Sequence, residues 1–333
     1  MTRFGFTLMT EQSGPKDLVR YAVAAEEAGF DLEVMSDHYF PWLSSMGHAP
    51  YAWSVLGAVA HATSRVDLMT YVTCPIIRYH PAVVAQKAAT VQLLADGRFT
   101  LGLGSGENLN EHVVGTGWPP IDQRMDMLTE AIEIIRALHT GSLVTFDGDH
   151  YRVDSARIWD CPEQGVPIGV AVSGDKSIER YAPLADHLIA TEPSADFIPG
   201  WNAVEGAPRV GAGGSARAIG QIPISWDPVS EDAARDRAHE QFRWFAGGWS
   251  VNADLPTTAG FAGATQFVRP EDVAAAIPCG PDLDAIVEAM SAYWRAGFTD
   301  VALVQIGDDT MDAFLEQAAR PLLEKLRAAA PDD

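Results

Sequence analysis

The chain has 333 residues, and its 23 basic and 45 acidic side chains give a net charge of −22, which repels nucleic-acid phosphates and anionic lipid surfaces. Its longest apolar runs, such as 55–60 and 301–304, are far shorter than the ~18 residues of a membrane-spanning helix. We therefore expect neither nucleic-acid binding nor a membrane span. With 47% hydrophobic residues, the chain can bury a large core.

The first residues and the cysteines indicate a cytoplasmic protein. Residues 1–13 lack the basic, apolar and small-residue regions of a signal peptide. Cys74, Cys161 and Cys279 are odd in number and widely spaced, and no Cys-x-x-Cys pair occurs. We expect free thiols and no disulfide framework.

Short β-rich runs alternate with segments of helical period along the whole chain. The predicted strands are 4–9, 32–36, 66–72, 98–103, 168–172, 187–190, 216–225 and 300–306. The predicted helices are 15–28, 52–63, 81–94, 124–139 and 311–328. Strands that alternate with helices in this number predict a (β/α)8 TIM barrel, which we expect to form one domain over 1–333.

The chain is longer than the roughly 250 residues typical of such a barrel, and we assign the surplus to insertions. They lie near 141–155, 192–215 and 245–280. The first contains an Asp-Gly turn typical of a hairpin, the second is rich in glycine and alanine, and the third reads as a long irregular stretch. Loops of this length are often lids or substrate loops.

Titratable and aromatic side chains follow several predicted strands. Glu11 follows the first, Asp37, His38 and Trp42 follow the second, and Glu107 follows the fourth. Because a TIM barrel carries its site at the carboxyl ends of the strands, these side chains should converge on one rim. Taken singly, an acid in such a loop is more often a solvated charge than a catalyst, and a lone tryptophan more often belongs to the core.

Two loops have the composition of ligand-binding backbone. Gly102, Gly104 and Gly106 do not have the Gly-x-Gly-x-x-Gly spacing of a dinucleotide fingerprint, and they mark either a tight barrel corner or a close approach to a flat ligand. The stretch 173–176 precedes a helix and either cradles a phosphate on its amides, with Lys176 as a point charge, or is an ordinary helix start.

Metal and nucleophilic chemistry are weakly supported. A barrel metallohydrolase often has His-x-His after its first strand, whereas this chain has Thr10-Glu11-Gln12, and we expect no metal site. No Gly-x-Ser-x-Gly elbow occurs, and Cys74 has no obvious base beside it. Hydride or oxygen chemistry on a bound organic cofactor is therefore the best use of the rim.

Five segments in order along the chain resemble the deazaflavin-dependent glucose-6-phosphate dehydrogenase family. They are 36–38, 41–42, 47–50, 78–86 and 104–111. That family belongs to the luciferase-like barrels, and its members use coenzyme F420, a deazaflavin that accepts or donates a hydride at one ring carbon. The resemblance implies the same fold, the same cofactor and a homodimer.

The resemblance also implies catalytic roles at the rim. His38 would take the hydroxyl proton as a hydride leaves the carbinol carbon, and Asp37 would orient His38. Glu107 would lie near the ring nitrogen that gains a proton or negative charge. Trp42 would pack where ring and substrate meet, and Glu11 matches a further acid of the family pocket.

For the cofactor, the resemblance implies support of the ring by the end of the third strand, contacts to its polar edge after the fourth, and phosphate binding after the fifth. The implied cofactor-binding residues are Asp37, Tyr71, Val72, Cys74, Ser105, Gly106, Glu107, Asn110, Ser173, Gly174, Asp175 and Lys176.

The chain departs from that family where the sugar phosphate is held. Family members resemble one another in using lysines and an arginine there, whereas 191–196 contains Glu192 and no basic residue, and 273–290 contains no lysine or arginine. Arg269 lies just upstream. A phosphate beside Glu192 would be repelled strongly at low dielectric, so we expect an uncharged alcohol or sugar as the substrate.

Three other functions stay open on the sequence. The first is an F420-dependent sugar-6-phosphate dehydrogenase, and the second is a flavin mononucleotide-dependent monooxygenase on the same barrel. The third is a carrier that holds the cofactor without turnover, in which removing His38 would leave cofactor binding unchanged. Because one fold hosts many activities, the site must decide among them.

Overall fold

The computed structural model describes residues 2–331, which form a closed barrel of parallel strands with helices around it. The strands are β1 (Arg3–Leu8), β2 (Leu32–Met35), β3 (Asp67–Thr70), β4 (Phe99–Leu103), β5 (Val144–Asp147), β6 (Arg152–Ala156), β7 (Ile168–Ala171), β8 (His187–Ala190), β9 (Ala218–Ile224) and β10 (Asp300–Gln305). Around the barrel the order is β1, β2, β3, β4, β7, β8, β9, β10 and back to β1. The predicted TIM-barrel fold is confirmed.

The helices follow the strands in the alternating order that parallel pairing requires. They are α1 (Pro15–Ala28), α2 (Ala52–Ala62), α3 (Pro81–Leu94), α4 (Asn108–Glu111), α5 (Ile121–Leu138), α6 (Asp175–Tyr181), α7 (Phe197–Ala203), α8 (Glu231–Phe242), α9 (Trp249–Asn252), α10 (Thr258–Ala264), α11 (Pro270–Ala274), α12 (Leu283–Arg295), α13 (Met311–Ala313) and α14 (Ala319–Ala329). A π-helical turn, Phe314–Ala318, joins the last two. In the part of the chain described here, no helix combines the length and apolarity that a membrane span needs.

The local sequence explains where the early helices begin and end. Pro15 opens α1, and Gly29 ends it in the left-handed conformation with φ 108°, which favours glycine. Pro81 opens α3, and the His80 ring accepts a hydrogen bond from the Ala82 amide as an N-cap. These helix starts place the strand-end loops that precede them at the carboxyl end of the barrel.

Side chains fill the barrel interior, so it is a packed core. Six interior residues are each at most 4% exposed: Leu32, Val34, Met69, Ile189, Ile219 and Ala302. Below them, at the amino-terminal end, the buried Asp300 accepts hydrogen bonds from Arg3 at 2.7 Å and Arg217 at 2.6 Å. A ligand is therefore expected at the carboxyl end, where the barrel strands lead into the longer loops.

The three stretches assigned to insertions differ in structure. The antiparallel hairpin β5–β6 lies in the first, and α7 lies in the second. Our reading of the third as irregular is wrong, because a 3-10 turn, Arg243–Gly247, and the short helices α9, α10 and α11 occupy it. We call residues 243–274 the lid segment. Whether the whole chain is one domain stays a prediction.

Candidate active site

His38 lies just beyond β2, and the barrel register brings Glu11 beside it. Leu8 of β1 pairs with Met35 of β2, and Glu11 and His38 each lie three residues further on. The His38 Nδ1 atom is 3.5 Å from the Glu11 Oε1 atom, and both residues are buried. Two side chains that the sequence placed on different strands therefore meet at one point of the rim.

Both nitrogens of the His38 ring have fixed partners. Nδ1 lies 3.0 Å from the Phe40 carbonyl oxygen, which can only accept, so Nδ1 carries a proton. Nε2 lies 3.1 Å from Glu107 Oε1. Burial lowers the pKa of His38, but the charges of Glu11 and Glu107 outweigh burial and raise this pKa to about 9.

Two hydroxyl groups hold the Glu11 carboxylate. Its Oε2 atom accepts hydrogen bonds from Ser36 Oγ at 2.5 Å and from Thr10 Oγ1 at 3.1 Å. The Thr10 amide in turn donates to Ser36 Oγ at 2.9 Å. These hydrogen bonds fix the Glu11 carboxyl group beside the His38 ring.

The expected contact between Asp37 and His38 does not form. Asp37 Oδ2 accepts hydrogen bonds from Trp53 Nε1 at 3.0 Å and Thr73 Oγ1 at 2.8 Å. Its Oδ1 accepts from Tyr79 OH and from Arg78 Nη2, both at 3.1 Å. Adjacent residues of an extended chain point to opposite sides, so Asp37 faces α2 and the loop between β3 and α3, while His38 faces the mouth of the barrel.

Arg78 ties the loop after β2 to the loop after β4, a role that the sequence analysis missed. Its guanidinium binds the Asp37 carbonyl and carboxylate, and its amide donates to Glu111 Oε2 at 2.8 Å. Burial raises the pKa of Glu111 to about 7 against the opposing effect of Arg78. Both residues lie inside the segments that carry the family resemblance, which is the signal that could have indicated them.

An aromatic wall stands beside His38. We use this name for Trp42, Trp244 and Phe261. The Trp42 ring is 4.9 Å from the His38 ring, and it stacks on Trp244 at 4.1 Å with an interplanar angle of 8°. Phe261 meets Trp42 edge to face at 5.2 Å. The lid segment supplies two of the three rings, and Val273 packs in the same apolar cluster. Trp244 and Phe261 were missed because that segment was read as irregular.

A half-buried apolar surface tops the filled barrel interior. Tyr71, Val72 and Ala171 pack on the interior cluster but stay only partly buried, unlike the residues below them. We call these three residues the platform. The Tyr71 hydroxyl donates to the Ala190 carbonyl at 3.0 Å, which fixes this ring. The platform, His38 and Trp42 all follow or end strands at the carboxyl end of the barrel, which is where we place the candidate site.

The glycine run packs against the chain that leads from β3. A Cβ atom on Gly102 would meet the Thr70 carbonyl oxygen at 1.9 Å, and one on Gly106, where φ is 72°, would meet Cys74 Sγ at 2.3 Å. These glycines are therefore required by strand packing, a reason the sequence analysis did not separate from a ligand approach. Burial raises the pKa of the Cys74 thiol well above its usual value, so it stays neutral.

Comparison with known proteins places this site in a family. The chain matches the luciferase-like monooxygenase family over residues 1–300. It is 38% identical over 338 residues to an F420-dependent glucose-6-phosphate dehydrogenase of Beutenbergia cavernae, covering 98% of each chain. The protein of the same name from Nakamurella multipartita is 36% identical over 336 residues, covering 98% of this chain and 97% of the relative. The chain belongs to the F420-dependent glucose-6-phosphate dehydrogenase family.

Solved structures agree with this membership. An F420-dependent secondary alcohol dehydrogenase, in complex with an F420-acetone adduct, superposes with a TM-score of 0.83 at 27% identity, covering 96% of this chain and 99% of that one. The F420-dependent tetrahydromethanopterin reductase of Methanopyrus kandleri has a TM-score of 0.77 at 21% identity, covering 98% and 99%, which shows the shared fold.

The family resemblance assigned a phosphate to Ser173, Gly174, Asp175 and Lys176, at the start of α6. Here Ser177 Oγ accepts the amide hydrogens of Ser173 at 3.1 Å and Gly174 at 3.3 Å. The Lys176 ammonium, which is 69% exposed, pairs with Asp122. A phosphate at this place would therefore have to replace these internal partners.

Where relatives of this family were expected to hold a sugar phosphate, the chain has no free cation among its described residues. Arg269 binds both oxygens of Asp272, at 3.0 and 2.7 Å, on the exposed start of α11. Val273 and Ile277 pack into the apolar cluster of Trp42. Glu192 is exposed after β8. Apolar and acidic groups thus occupy the segments where basic ones were expected.

Proposed function

We propose that this protein is an F420-dependent dehydrogenase that moves a hydride from the CH–OH carbon of an uncharged alcohol or sugar to oxidised F420. The observation that carries the proposal is the His38 imidazole, held between Glu11 and Glu107 beside the aromatic wall. Supporting it, the curated relatives are F420-dependent dehydrogenases, and the matched alcohol dehydrogenase structure contains an F420-acetone adduct.

The residues present fit a deazaflavin. The platform offers a flat apolar surface that the rest of the chain leaves half-exposed, as a planar ring requires. The Glu107 side chain, which is 15% exposed and contacts His38, follows β4 at the same end of the barrel. When bound, F420 supplies a carbon that accepts a hydride. Tyr71, Val72, Ser105, Gly106 and the residues 107 and 173–176 remain our proposed ligands.

The chain's own residues would handle the protons. Neutral His38 accepts the hydroxyl proton of the alcohol at Nε2, because Nδ1 already carries the proton donated to Phe40. Glu107, in contact with the same Nε2, offers a second proton acceptor within hydrogen-bond distance. Glu11 stabilises the imidazolium that forms. The aromatic wall excludes water, which strengthens these interactions.

The substrate preference follows from the wall chemistry. A phosphorylated sugar carries a dianion that requires basic partners, whereas an apolar wall offers none, and Glu192 adds a negative charge to the loop after β8. A neutral alcohol needs only apolar contacts and one hydrogen bond to its hydroxyl group. The aromatic wall therefore favours small uncharged alcohols over sugar phosphates.

The test is the loss of oxidised F420 absorbance when the protein is mixed with neutral alcohols, sugars and glucose 6-phosphate. We expect bleaching with a neutral alcohol, loss of bleaching in His38→Ala, and no loss in the control His150→Ala on the β5–β6 hairpin. Bleaching with glucose 6-phosphate alone would keep the family activity and reject the substrate argument. Oxygen consumption with reduced flavin mononucleotide, without F420 bleaching, would indicate a monooxygenase.

A homodimer is the second part of the proposal, and the outer face of α2 and α3 supports it. Across Ala52–Ala62 and Pro81–Leu94 the only charged side chain besides His61 is Lys87, and Val83 and Leu94 are exposed. Because each copy has a net charge of −22, two copies repel least through a face without carboxylates.

The assembly is tested by light scattering after size exclusion. We expect a dimer that Ala58→Glu, on the exposed face of α2, converts to a monomer, while the control Ser142→Glu, exposed after α5, stays dimeric. A monomeric wild type would reject this part. The cytoplasmic location also belongs to the proposal, and fractionation of cells would test it.

A further inference from the structure

Asn110 closes a ring of hydrogen bonds that contains the whole His38–Glu107 pair. The His38 Nδ1–H group donates to the Phe40 carbonyl oxygen at 3.0 Å, and the Phe40 amide donates to Asn110 Oδ1 at 3.2 Å. Asn110 Nδ2 donates to Glu107 Oε1 at 2.9 Å, the atom that lies 3.1 Å from His38 Nε2. Each contact in this ring ends on the residue from which the next contact starts.

The buried Asn110 side chain bridges the loop after β2 and the loop after β4 through both of its polar atoms. Besides Phe40, the Tyr39 amide also donates to Oδ1, at 2.7 Å. The residue is 2% exposed, and both of its polar atoms are bonded within the protein. An amide that accepts two backbone hydrogens on one side and donates to a carboxylate on the other can hold only one relative placement of the two loops.

We infer that Asn110 is a positioning residue that sets the contact between His38 and Glu107, by fixing the loop after β2 against the loop after β4. The catalytic meaning of this inference rests on the proposed function, whereas the contact between His38 and Glu107 is independent of it. It departs from the role that the family resemblance implied, in which Asn110 binds the polar edge of the cofactor. The partners of Asn110 are the Tyr39 and Phe40 amides and the Glu107 carboxylate, and it acts on His38 through these groups.

The positioning role of Asn110 should be measurable in the free protein, through the pKa of His38. The carboxylates that contact His38 in the described residues are Glu11, from the loop after β1, and Glu107, from the loop after β4. Removing the Asn110 amide leaves the Glu11 contact in place and releases Glu107. The His38 pKa should then fall toward its ordinary value, because one of the two charges that raise it is no longer held in contact.

The experiment measures the pKa of His38 by NMR in protein labelled at histidine, with His38→Ala to assign the signal. Asn110→Leu removes the amide at similar volume, and Asn110→Ser leaves space for a water if the first variant does not fold. The control is Asn108→Leu on the same helix, whose amide donates to Asp254 in the lid segment and not to Glu107. We expect the His38 pKa to fall by about one unit or more in the Asn110 variants and to stay in the control.

Kinetics and binding give the second readout. In the Asn110 variants the plateau of kcat should fall by about tenfold to a hundredfold, because His38 and Glu107 lose their alignment. The acidic limb of the pH profile should move to lower pH together with the NMR value. A merely structural role would lower activity equally at every pH.

Two results would overturn the inference. One is an unchanged His38 pKa in folded Asn110 variants. The other is weaker F420 binding in fluorescence titrations with an unchanged His38 pKa, which would make Asn110 a cofactor ligand. The wild type could also fail to bleach F420 with any of the alcohols tested while the His38 pKa still falls in the Asn110 variants. This result would reject the proposed function and leave the positioning role of Asn110 in place.

Discussion

The His38 and Glu107 side chains touch across the mouth of the barrel, with 3.1 Å between Nε2 and Oε1, although they follow strands that are separated by β3. In the protonated form of His38 both ring nitrogens donate, one to Glu107 and one to the Phe40 carbonyl. The resting state of the free protein at neutral pH is therefore an imidazolium between two carboxylates. A base in this state must lose its proton before it can accept one.

This state predicts the pH dependence of alcohol oxidation. Because the pKa of His38 is raised to about 9, kcat/KM should rise with pH and level off above about 9. Steady-state rates of F420 bleaching across this range give the measurement. A profile that levels off near the ordinary histidine value would contradict the charge arrangement around His38.

The same group links pH to stability. Its folded-state pKa lies above the unfolded value of 6.5, so the stabilisation that it contributes is complete below about pH 6.5 and is lost as pH rises through about 9. Denaturant unfolding over this pH window should show a smaller fall in His38→Ala than in the wild type. Equal slopes in both proteins would indicate that His38 is not charged in the free fold.

Arg78→Met should destabilise the protein strongly. The change leaves the buried Asp37 and Glu111 carboxylates without their shared cation, and breaking a buried pair costs about 3–5 kcal/mol of unfolding free energy. Arg152→Met is the control, because Arg152 pairs with Asp147 at the surface with its side chain 83% exposed, where such pairs contribute about 1 kcal/mol or less. Similar losses in both variants by denaturant unfolding would contradict this prediction.

The stacked pair Trp42 and Trp244 should show a measurable coupling. A double-mutant cycle with Trp42→Ala and Trp244→Ala is expected to give about 0.5–1.5 kcal/mol of interaction in unfolding free energy, as aromatic pairs do. Trp244→Ala should also raise KM for a neutral alcohol while F420 affinity is kept. Trp159→Ala, with Trp159 82% exposed, is the control that should change neither quantity. A coupling near zero would mean that the lid segment does not hold Trp42.

The start of α6 predicts a salt-sensitive effect on F420 binding. If Lys176 serves the cofactor phosphate, Lys176→Met should weaken F420 binding severalfold at low salt, and Asp122→Asn should strengthen it by releasing the lysine. Fluorescence titration of F420 at two salt concentrations measures both. No change in either variant would place the phosphate elsewhere.

The sequence predicted the barrel well because strand and helix periods are local properties. Predicted helices such as 15–28 and 81–94 match α1 and α3, and the predicted strand 187–190 matches β8. The meeting of Glu11, His38 and Glu107 followed from a rule of the fold, since barrel sites lie at the carboxyl strand ends. Residue type and fold class together were enough to find these three side chains.

The partners of those side chains were not predictable in the same way. Asp37 was expected to face His38, but side chains alternate along an extended segment. Only the tertiary fold shows that Thr73 and Arg78, between β3 and α3, donate hydrogen bonds to the Asp37 carboxylate. The helices of the lid segment are too short to be stable through local preference alone. Tertiary contacts such as that of Phe261, on α10, with Trp42 stabilise them. Contacts of this kind depend on the tertiary fold.

The filled interior of the barrel blocks the approach to His38 from the amino-terminal end. Six side chains, each at most 4% exposed, occupy the inside, and Arg3 and Arg217 bind the buried Asp300 below them. Under the proposed function, in which the cofactor lies on Tyr71 and Val72 directly above the filled interior, we expect the cofactor to bind before the alcohol and to leave last. The steady-state mechanism should accordingly be ordered, with the ketone or aldehyde product leaving before the reduced cofactor.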